Sequence, residues 1–252
     1  MFEENRLSKL NLFLPTFCYI SADRIAPQRI YKKSYHEVYE KNQVGYRGEL
    51  LADYLAERAL EDKVENISVF HPNQTSSVLL YQMDAWLSEI SPGISLGTKK
   101  YTEAGLVAME YQVLDNKSRN TYSPLNVGFG ISYVLPIILA ILKAKAGDLV
   151  VLENPEAHLH PKGQRKMGEL IAKACAGGVQ VIVETHSDHL LNGIRLAVKR
   201  LLIKSEQVRL NYFYQNEGLH DKACPMILLN GSLTSWPDGF FDEWDKAIDE
   251  LF

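Results

Sequence analysis

The stretch Leu149-Val150-Val151-Leu152 runs straight into Glu153-Asn154-Pro155-Glu156, an apolar strand pattern that ends in carboxylates. Acids at the C-terminal end of a parallel strand sit where such sheets bind ligands, and their charge invites a cation. An acid so placed can hold Mg2+ through water, while a second polar or acidic residue orients or deprotonates an attacking water. Glu153 is the candidate for the first role. Further on, Val181-Ile182-Val183 ends in Glu184-Thr185-His186-Ser187, which brings a histidine and hydroxyls to the same sheet edge if a crossover helix joins the two strands. Upstream, Asn126-Val127-Gly128-Phe129-Gly130-Ile131-Ser132 sets glycines ahead of a helix, where backbone N–H groups and the helix N-terminus can receive phosphate oxygens. Each fragment alone also has a plainer reading, as a strand leaving the core through acids or as a tight helix-entry turn.

The elements that must position these residues follow from periodicity. Thr16 to Ser21 reads as a short strand ending in the polar loop Asp23-Arg24-Ile25-Ala26-Pro27, and Lys32 to Gly45 as an exposed polar stretch. Leucines at helical spacing predict amphipathic helices over Glu49 to Asp62 and Ser76 to Ile90. Alternation between Ile94 and Asn126, with a turn at Asn116-Lys117-Ser118, predicts a β-hairpin. A helix follows Gly130 through Lys143, then the strand from Leu149, a helix from Pro161 to Gly177-Gly178, and a second strand over Val179 to Val183. That order is a βαβ unit. Ser187 is placed to cap a helix to about Ile203; Val208 to Tyr214 and Met226 to Leu229 read as two last strands, and Phe240 to Leu251 as a closing helix. Phe240, Phe241 and Trp244 recur at helical spacing and are expected to anchor it to the core. No repeat or flexible linker separates these parts.

Composition excludes some classes. With 46% hydrophobic and 23% charged residues in 252 positions, the chain is expected to fold as a globular protein. Its 27 basic and 31 acidic residues give a net charge of -4, so bulk charge carries no nucleic-acid footprint. Arg195, Lys199, Arg200 and Lys204 line one helix and read as a solvated face. Cys18, Cys175 and Cys224 lack any paired ligand spacing, which suits a reducing compartment. The longest apolar run, Tyr133 to Leu142, is interrupted by Pro136 and is short of the roughly 20 residues of a membrane span. The expectation is a cytoplasmic protein without a membrane partner.

Taken in order, the three chemistry-bearing stretches resemble the ABC-type ATPases, with wording closest to the bacterial branch related to the OLD, RecF and SMC-like proteins. Asn126 to Ser132 resembles the signature motif, Leu149 to Glu156 the Walker B strand, Ala157-His158-Leu159-His160-Pro161 the D-loop, and Glu184-Thr185-His186-Ser187 the switch-histidine loop. The tail Trp236-Pro237-Asp238-Gly239-Phe240-Phe241-Asp242-Glu243-Trp244 resembles a domain of unknown function attached to AAA-annotated ATPases, several of them in bacterial defence or DNA-maintenance loci. The resemblance implies an α/β fold: the C-terminal lobe of a P-loop NTPase of the ABC type, a parallel sheet flanked by helices, with an upstream helical and β-hairpin region. It divides the chain into a partial middle region over 1–125, the ATPase lobe over 126–230 and a tail over 231–252.

The resemblance further implies ATP and Mg2+ as cofactors, with Glu153 holding the metal through water. Glu153, Glu156 and His186 would be catalytic, and Asn126, Gly128, Gly130, Ser132 and His160 would contact nucleotide. Two features depart from the pattern. No Gly-rich string ending in Gly-Lys-Ser/Thr occurs, so the phosphate cradle is expected from an N-terminal segment or partner chain. Asn154 stands where many relatives have a catalytic glutamate; an amide cannot act as a base, and Glu156 is the candidate in its place. Since the signature motif of one ABC protomer completes the nucleotide site of another, a homo- or hetero-dimer is implied, with DNA as a further candidate partner. Two other readings stand beside this one: a zinc or manganese site from His158, His160, His186 and His189, and a non-catalytic interaction or regulatory subunit on an ABC-like platform.

Overall fold

A computed structural model of the chain describes residues 17–115, 118–216 and 218–252. The strands in chain order are β1 (Phe17–Ile20), β2 (Ile30–Lys32), β3 (Ile94–Tyr101), β4 (Leu106–Asp115), β5 (Ser118–Tyr122), β6 (Leu149–Glu153), β7 (Gln180–Glu184), β8 (Tyr212–Asn216) and β9 (Leu219–Ala223). The α-helices are α1 (Leu51–Glu57), α2 (Leu79–Ile90), α3 (Phe129–Lys143), α4 (Pro161–Ala176), α5 (Asp188–Lys199) and α6 (Glu243–Leu251). The architecture is α/β. A parallel sheet, ordered β1-β6-β7, is flanked by helices, and a second, antiparallel sheet is ordered β2-β4-β3 with β5 also on β4. No helix among the described residues is long and apolar enough to cross a membrane.

The parallel sheet forms because Leu149–Leu152 and the strand at 180–184 are joined by α4, and β1 adds on the other side of β6. Its register pairs Tyr19 with Val151 and Val151 with Ile182, and ends with Glu153 beside Glu184. Side chains alternate across a strand, so Cys18, Ile20, Val150, Leu152, Val181 and Val183 share the face that joins the main core. That core is centred on α3, whose Val134, Leu135 and Ile137 to Leu142 are all buried. Pro136 lies inside this helix against Gly48, where φ is +77° and any side chain would strike the proline ring.

A second cluster of Ala172, Leu191, Ala197, Val198, Ile203, Ile227, Leu233 and Phe240 lies behind α4 and α5, and Ile194 packs on both clusters. The two helices touch backbone to backbone: a Cβ added at Gly168 would meet Leu190 O at 2.2 Å, and one at Gly193 would meet Arg165 O at 2.2 Å.

Several sequence expectations change. Lys32 to Gly45 is not simply exposed: a π-helical turn at His36–Glu40 buries Val38, and Val44 is buried as well. Two isolated valines among polar residues leave no periodic signal. The hairpin expected between Ile94 and Asn126 is a larger antiparallel arrangement, because β4 pairs with β2, β3 and β5; of its expected turn, Asn116 and Lys117 lie outside the described residues, as do Thr16 and the N-terminal residues before it. The strand expected at 208–214 is present as β8 but begins only at Tyr212 and pairs with an unexpected β9 in a hairpin with Gly218 at φ +81°. The strand expected at 226–229 is reduced to a single bridge from Ile227 to Leu233. Leu-His-Asp-Lys-Ala in β9 is mostly polar, so hydrophobic pattern was silent there. The closing helix starts at Glu243, since Phe241 takes φ +56°. Phe240 and Phe241 hold the tail to the second cluster, whereas Trp244 is 65% exposed and anchors nothing.

Candidate functional site

The ends of β6 and β7 form one edge. Glu153 closes β6 and is only partly exposed. Its Oε1 accepts a hydrogen bond from the Tyr19 hydroxyl at 2.9 Å, and its Oε2 accepts from Ala22 N at 2.9 Å. The carboxylate is thus oriented by β1 and the loop that follows it. The Tyr19 phenol is pushed above its ordinary range, first by its hydrogen bond to Glu153 and then by burial.

After Glu153 the chain turns sharply. Asn154 has φ +43° and His158 φ +63°, left-handed positions that asparagine and histidine tolerate better than most residues. Asn154 N donates to Glu184 O at 3.0 Å, Ala157 N to Asn154 O at 3.1 Å, and Leu159 N to Glu156 O at 3.0 Å. This turn folds Glu156 inward, to 9% exposure. Its Oε1 accepts from His186 N at 3.0 Å, while Oε2 is buried with no partner. The Asn154 side-chain oxygen is likewise buried and unpartnered. A buried carboxylate oxygen without a donor carries a desolvation cost, which a polar partner brought to this position would relieve.

His186 stands outward, with Nε2 2.9 Å from Glu184 Oε1 and both side chains well exposed. Ser187, one residue later, is buried and caps α5 through Leu190 N at 3.0 Å. Its hydroxyl also donates to Gln164 Oε1 at 2.6 Å, and Gln164 Nε2 reaches Leu159 O at 2.8 Å. The start of α5, the first turns of α4 and the carboxylate turn are therefore one hydrogen-bonded unit. His160 is the N-cap of α4, its Nδ1 accepting weakly from Lys162 N at 3.4 Å, with Pro161 following at the first helical position.

The glycine-bearing stretch lies against this unit from the other side. A Cβ at Gly130 would meet His158 O at 2.4 Å, so the start of α3 approaches the turn closely enough to require glycine. The His158 ring lies edge-on to Tyr133, 4.8 Å between centroids, and 6.4 Å from Phe129. Asn126 and Gly128 are exposed, and Gly128 faces open space. Ser132, by contrast, turns inward, its Oγ 3.0 Å from the Tyr111 hydroxyl. The structure thus groups Glu153, Glu156, Glu184 and His186, sets Gly130 against the same turn, leaves Asn126, Gly128 and His160 at the surface, and engages Ser132 with β4.

Among the described residues, no group of three or more His, Cys, Asp or Glu side chains could hold a metal ion, so His158, His160, His186 and His189 do not converge as a ligand set. For Mg2+ the donor chemistry is different: such an ion keeps most of its waters and needs only one or two carboxylates together with phosphates. Glu153, its carboxylate oriented by the Tyr19 hydroxyl and Ala22 N, fits that demand. On the basic helix, Arg195 is occupied by Gly231 O at 2.8 Å, by Asn192 Oδ1 at 2.7 Å and by the Trp236 ring.

Sequence reasoning passed over Arg24. It is 2% exposed, and its guanidinium donates to Ser21 O at 2.9 Å, Glu153 O at 2.9 Å and Asn154 O at 2.8 Å. It also lies over the Tyr133 ring, 5.6 Å from the centroid. An arginine in a loop ordinarily reads as solvated; only the fold shows it buried beneath the carboxylate turn.

The family model described as "AAA domain, putative AbiEii toxin, Type IV TA system" matches residues 20–192. A family of unknown function, DUF3696, matches residues 203–251. No curated protein matches the chain. Among solved structures, a chain from work on ATP-driven dimerization and DNA-stimulated activation of SMC ATPases is 14% identical, with 67% of this chain and 88% of that one covered and a TM-score of 0.42. An SmcHead bound to the C-winged helix domain of ScpA is 14% identical over 56% of this chain and 40% of its own, at a TM-score of 0.40. The Pyrococcus furiosus Smc head domain bound to the C-terminal domain of ScpA is 10% identical over 67% and 36%, at 0.37. This chain thus spans well under half the length of the latter two.

Proposed function

The chain belongs to the AAA-domain family described as putative AbiEii toxin, Type IV TA system, and from that ATPase-type membership we propose that it forms part of an ABC-type ATP-hydrolysing site completed by a P-loop-bearing segment or partner chain. One observation carries the reading. At the shared end of β6 and β7, Glu156 is buried with one carboxylate oxygen on His186 N and the other unpartnered, beside the oriented carboxylate of Glu153.

The roles follow from that arrangement. Bound Mg2+ would neutralise charge developing on transferred phosphate oxygens. Glu153, pre-oriented by Tyr19 and Ala22 N, is suited to hold that ion's hydration shell. Glu156 is suited to accept a proton from, or orient, the attacking water, a task Asn154 cannot perform. His186 is exposed but paired through Nε2 with Glu184, and would meet a phosphate by leaving that carboxylate. Phosphoryl transfer depends mostly on positioning and electrostatics, and the linked turn supplies positioning.

Partner dependence has its own support. No Gly-Lys-Ser/Thr cradle occurs in the sequence. Among the described residues β7 pairs only with β6, and Ile182 on it is 51% exposed. Parallel strands are ordinarily covered on both faces, and an open edge is a template for another strand. In this reading the exposed Asn126 and Gly128, with Gly130 and with Ser132 once its hydroxyl leaves Tyr111, cap nucleotide held by a second protomer, in a cytoplasmic dimer that serves DNA maintenance or phage defence.

The test is Mg-ATP binding and turnover by the chain alone and after mixing with a P-loop-bearing segment or partner chain. Activity on mixing that Glu153→Gln abolishes supports the proposal. A stable mixture that neither binds nor hydrolyses ATP refutes it and favours an interaction module.

A further inference from the structure

Arg24 raises a question of cost. A cation that is 2% exposed should have a carboxylate partner, yet all three of its hydrogen bonds go to backbone carbonyls, of Ser21, Glu153 and Asn154, and its Nε has no acceptor. Burial lowers its affinity for the proton, while Tyr133, Glu156 and Glu153 favour the charge. What the buried charge gains is geometric. The turn it grips holds two left-handed residues, Asn154 and His158, within five positions. The carbonyl of Asn154 that Arg24 holds also accepts from Ala157 N. The guanidinium's other contact, the face of Tyr133, belongs to α3, and Tyr133 in turn abuts the His158 ring. A planar fork can reach two carbonyls and an aromatic face at once; a lysine ammonium cannot.

We propose that Arg24 is the positioning residue of this site, fixing the backbone of the Glu153–Glu156 turn and tying it to Tyr133 near the start of α3, so that the carboxylates and the glycine-bearing helix entry move as one body. Its consequence for turnover rests on the ATPase reading above; its consequence for the turn does not. Tyr133 enters as the second member of the link, through its ring and not its hydroxyl.

Hydrogen exchange on the full chain decides it. Arg24→Lys keeps the charge without the fork, and Arg24→Met keeps much of the volume without the charge. Both are expected to speed exchange at the amides of Asn154, Ala157 and Leu159 tenfold or more, while amides of the β3–β4 ladder change less than twofold. Tyr133→Leu moves the same three amides in the same direction, and Tyr133→Phe leaves them as in the parent. Unchanged exchange in both arginine variants overturns the proposal, as does a uniform rise across the chain. Should neither arginine variant fold, the contrast between Tyr133→Leu and Tyr133→Phe decides alone. With the P-loop segment added, Arg24→Lys is expected to lower kcat at least tenfold with KM for Mg-ATP within twofold; loss through KM alone contradicts a positioning role. A parent mixture without turnover defeats the ATPase reading, and exchange still decides the role of Arg24 in the turn.

Discussion

Replacing Gly168 with alanine probes how closely α4 and α5 are joined behind the site. A Cβ there lies 2.2 Å from Leu190 O and 3.1 Å from Gly193 Cα, and one at Gly193 lies 2.2 Å from Arg165 O. Both obstacles are backbone, so no side-chain rotation relieves them. Ordinary C···O contact is roughly 3.3 Å, which requires the helices to part by about 1 Å. Alanine in a helix interior is favoured over glycine by about 1 kcal/mol, so with room to spare Gly168→Ala would stabilise. Forcing a methyl into a full interface costs about 1–3 kcal/mol, and the separation also loosens Leu190 and Leu191 in their clusters. The expected net effect is a loss of about 1–2 kcal/mol, read in urea unfolding as a midpoint lower by roughly 0.5–1 M at unchanged slope. Gly193→Ala should behave alike. Because one displacement admits both methyls, the double variant should lose less than the sum of the singles, by more than about 0.5 kcal/mol. A midpoint that holds or rises in Gly168→Ala, or strictly additive losses, would refute a backbone-to-backbone crossing.

Acid should act through Glu57. Burial pushes its carboxyl up, but hydrogen bonds from Lys33, Lys100 and Tyr39 outweigh this and bring it down to about 2, from 4.5. A depressed folded value means that its contribution is complete above pH 4.5 and is lost as pH falls through about 2. After screening at Lys100, whose side chain is 43% exposed, that loss should be about 1–2 kcal/mol, and Glu57→Gln should flatten this part of the stability–pH curve measured by denaturant titration. Ser187→Ala removes the cap on Leu190 N and the partner of Gln164; thermal unfolding should fall by about 3–5 °C for the roughly 1–2 kcal/mol lost, with Ser187→Thr recovering most of it.

Much of the α/β order was readable from periodicity, because α3, α4, β6 and β7 carry strong apolar patterns bounded by Gly and Pro. The β6 strand and its carboxylate end are a local matter: Leu149 to Leu152 bury whatever packs against them, and the chain must then leave the core. Regions whose stability comes from few or polar contacts were not readable in this way. The π-helical turn rests on Val38, the β8–β9 hairpin is mostly exposed, and the tail is held by Phe240 and Phe241 rather than Trp244. Local pattern says little where burial involves one or two residues.

For the site, residue types and order alone determined that carboxylates end one strand, that a histidine and a capping serine follow the next, and that glycines precede a helix. Only the tertiary structure decided which of these groups meet. Register pairs Glu153 with Glu184, two left-handed residues turn Glu156 inward onto His186 N, and Gly130 seats α3 on the His158 carbonyl. Arg24 comes to the turn from 129 residues away along the chain. Hydrogen-bond partners at that separation leave no trace in spacing or composition, because they are chosen by how the strands align and not by neighbours in sequence.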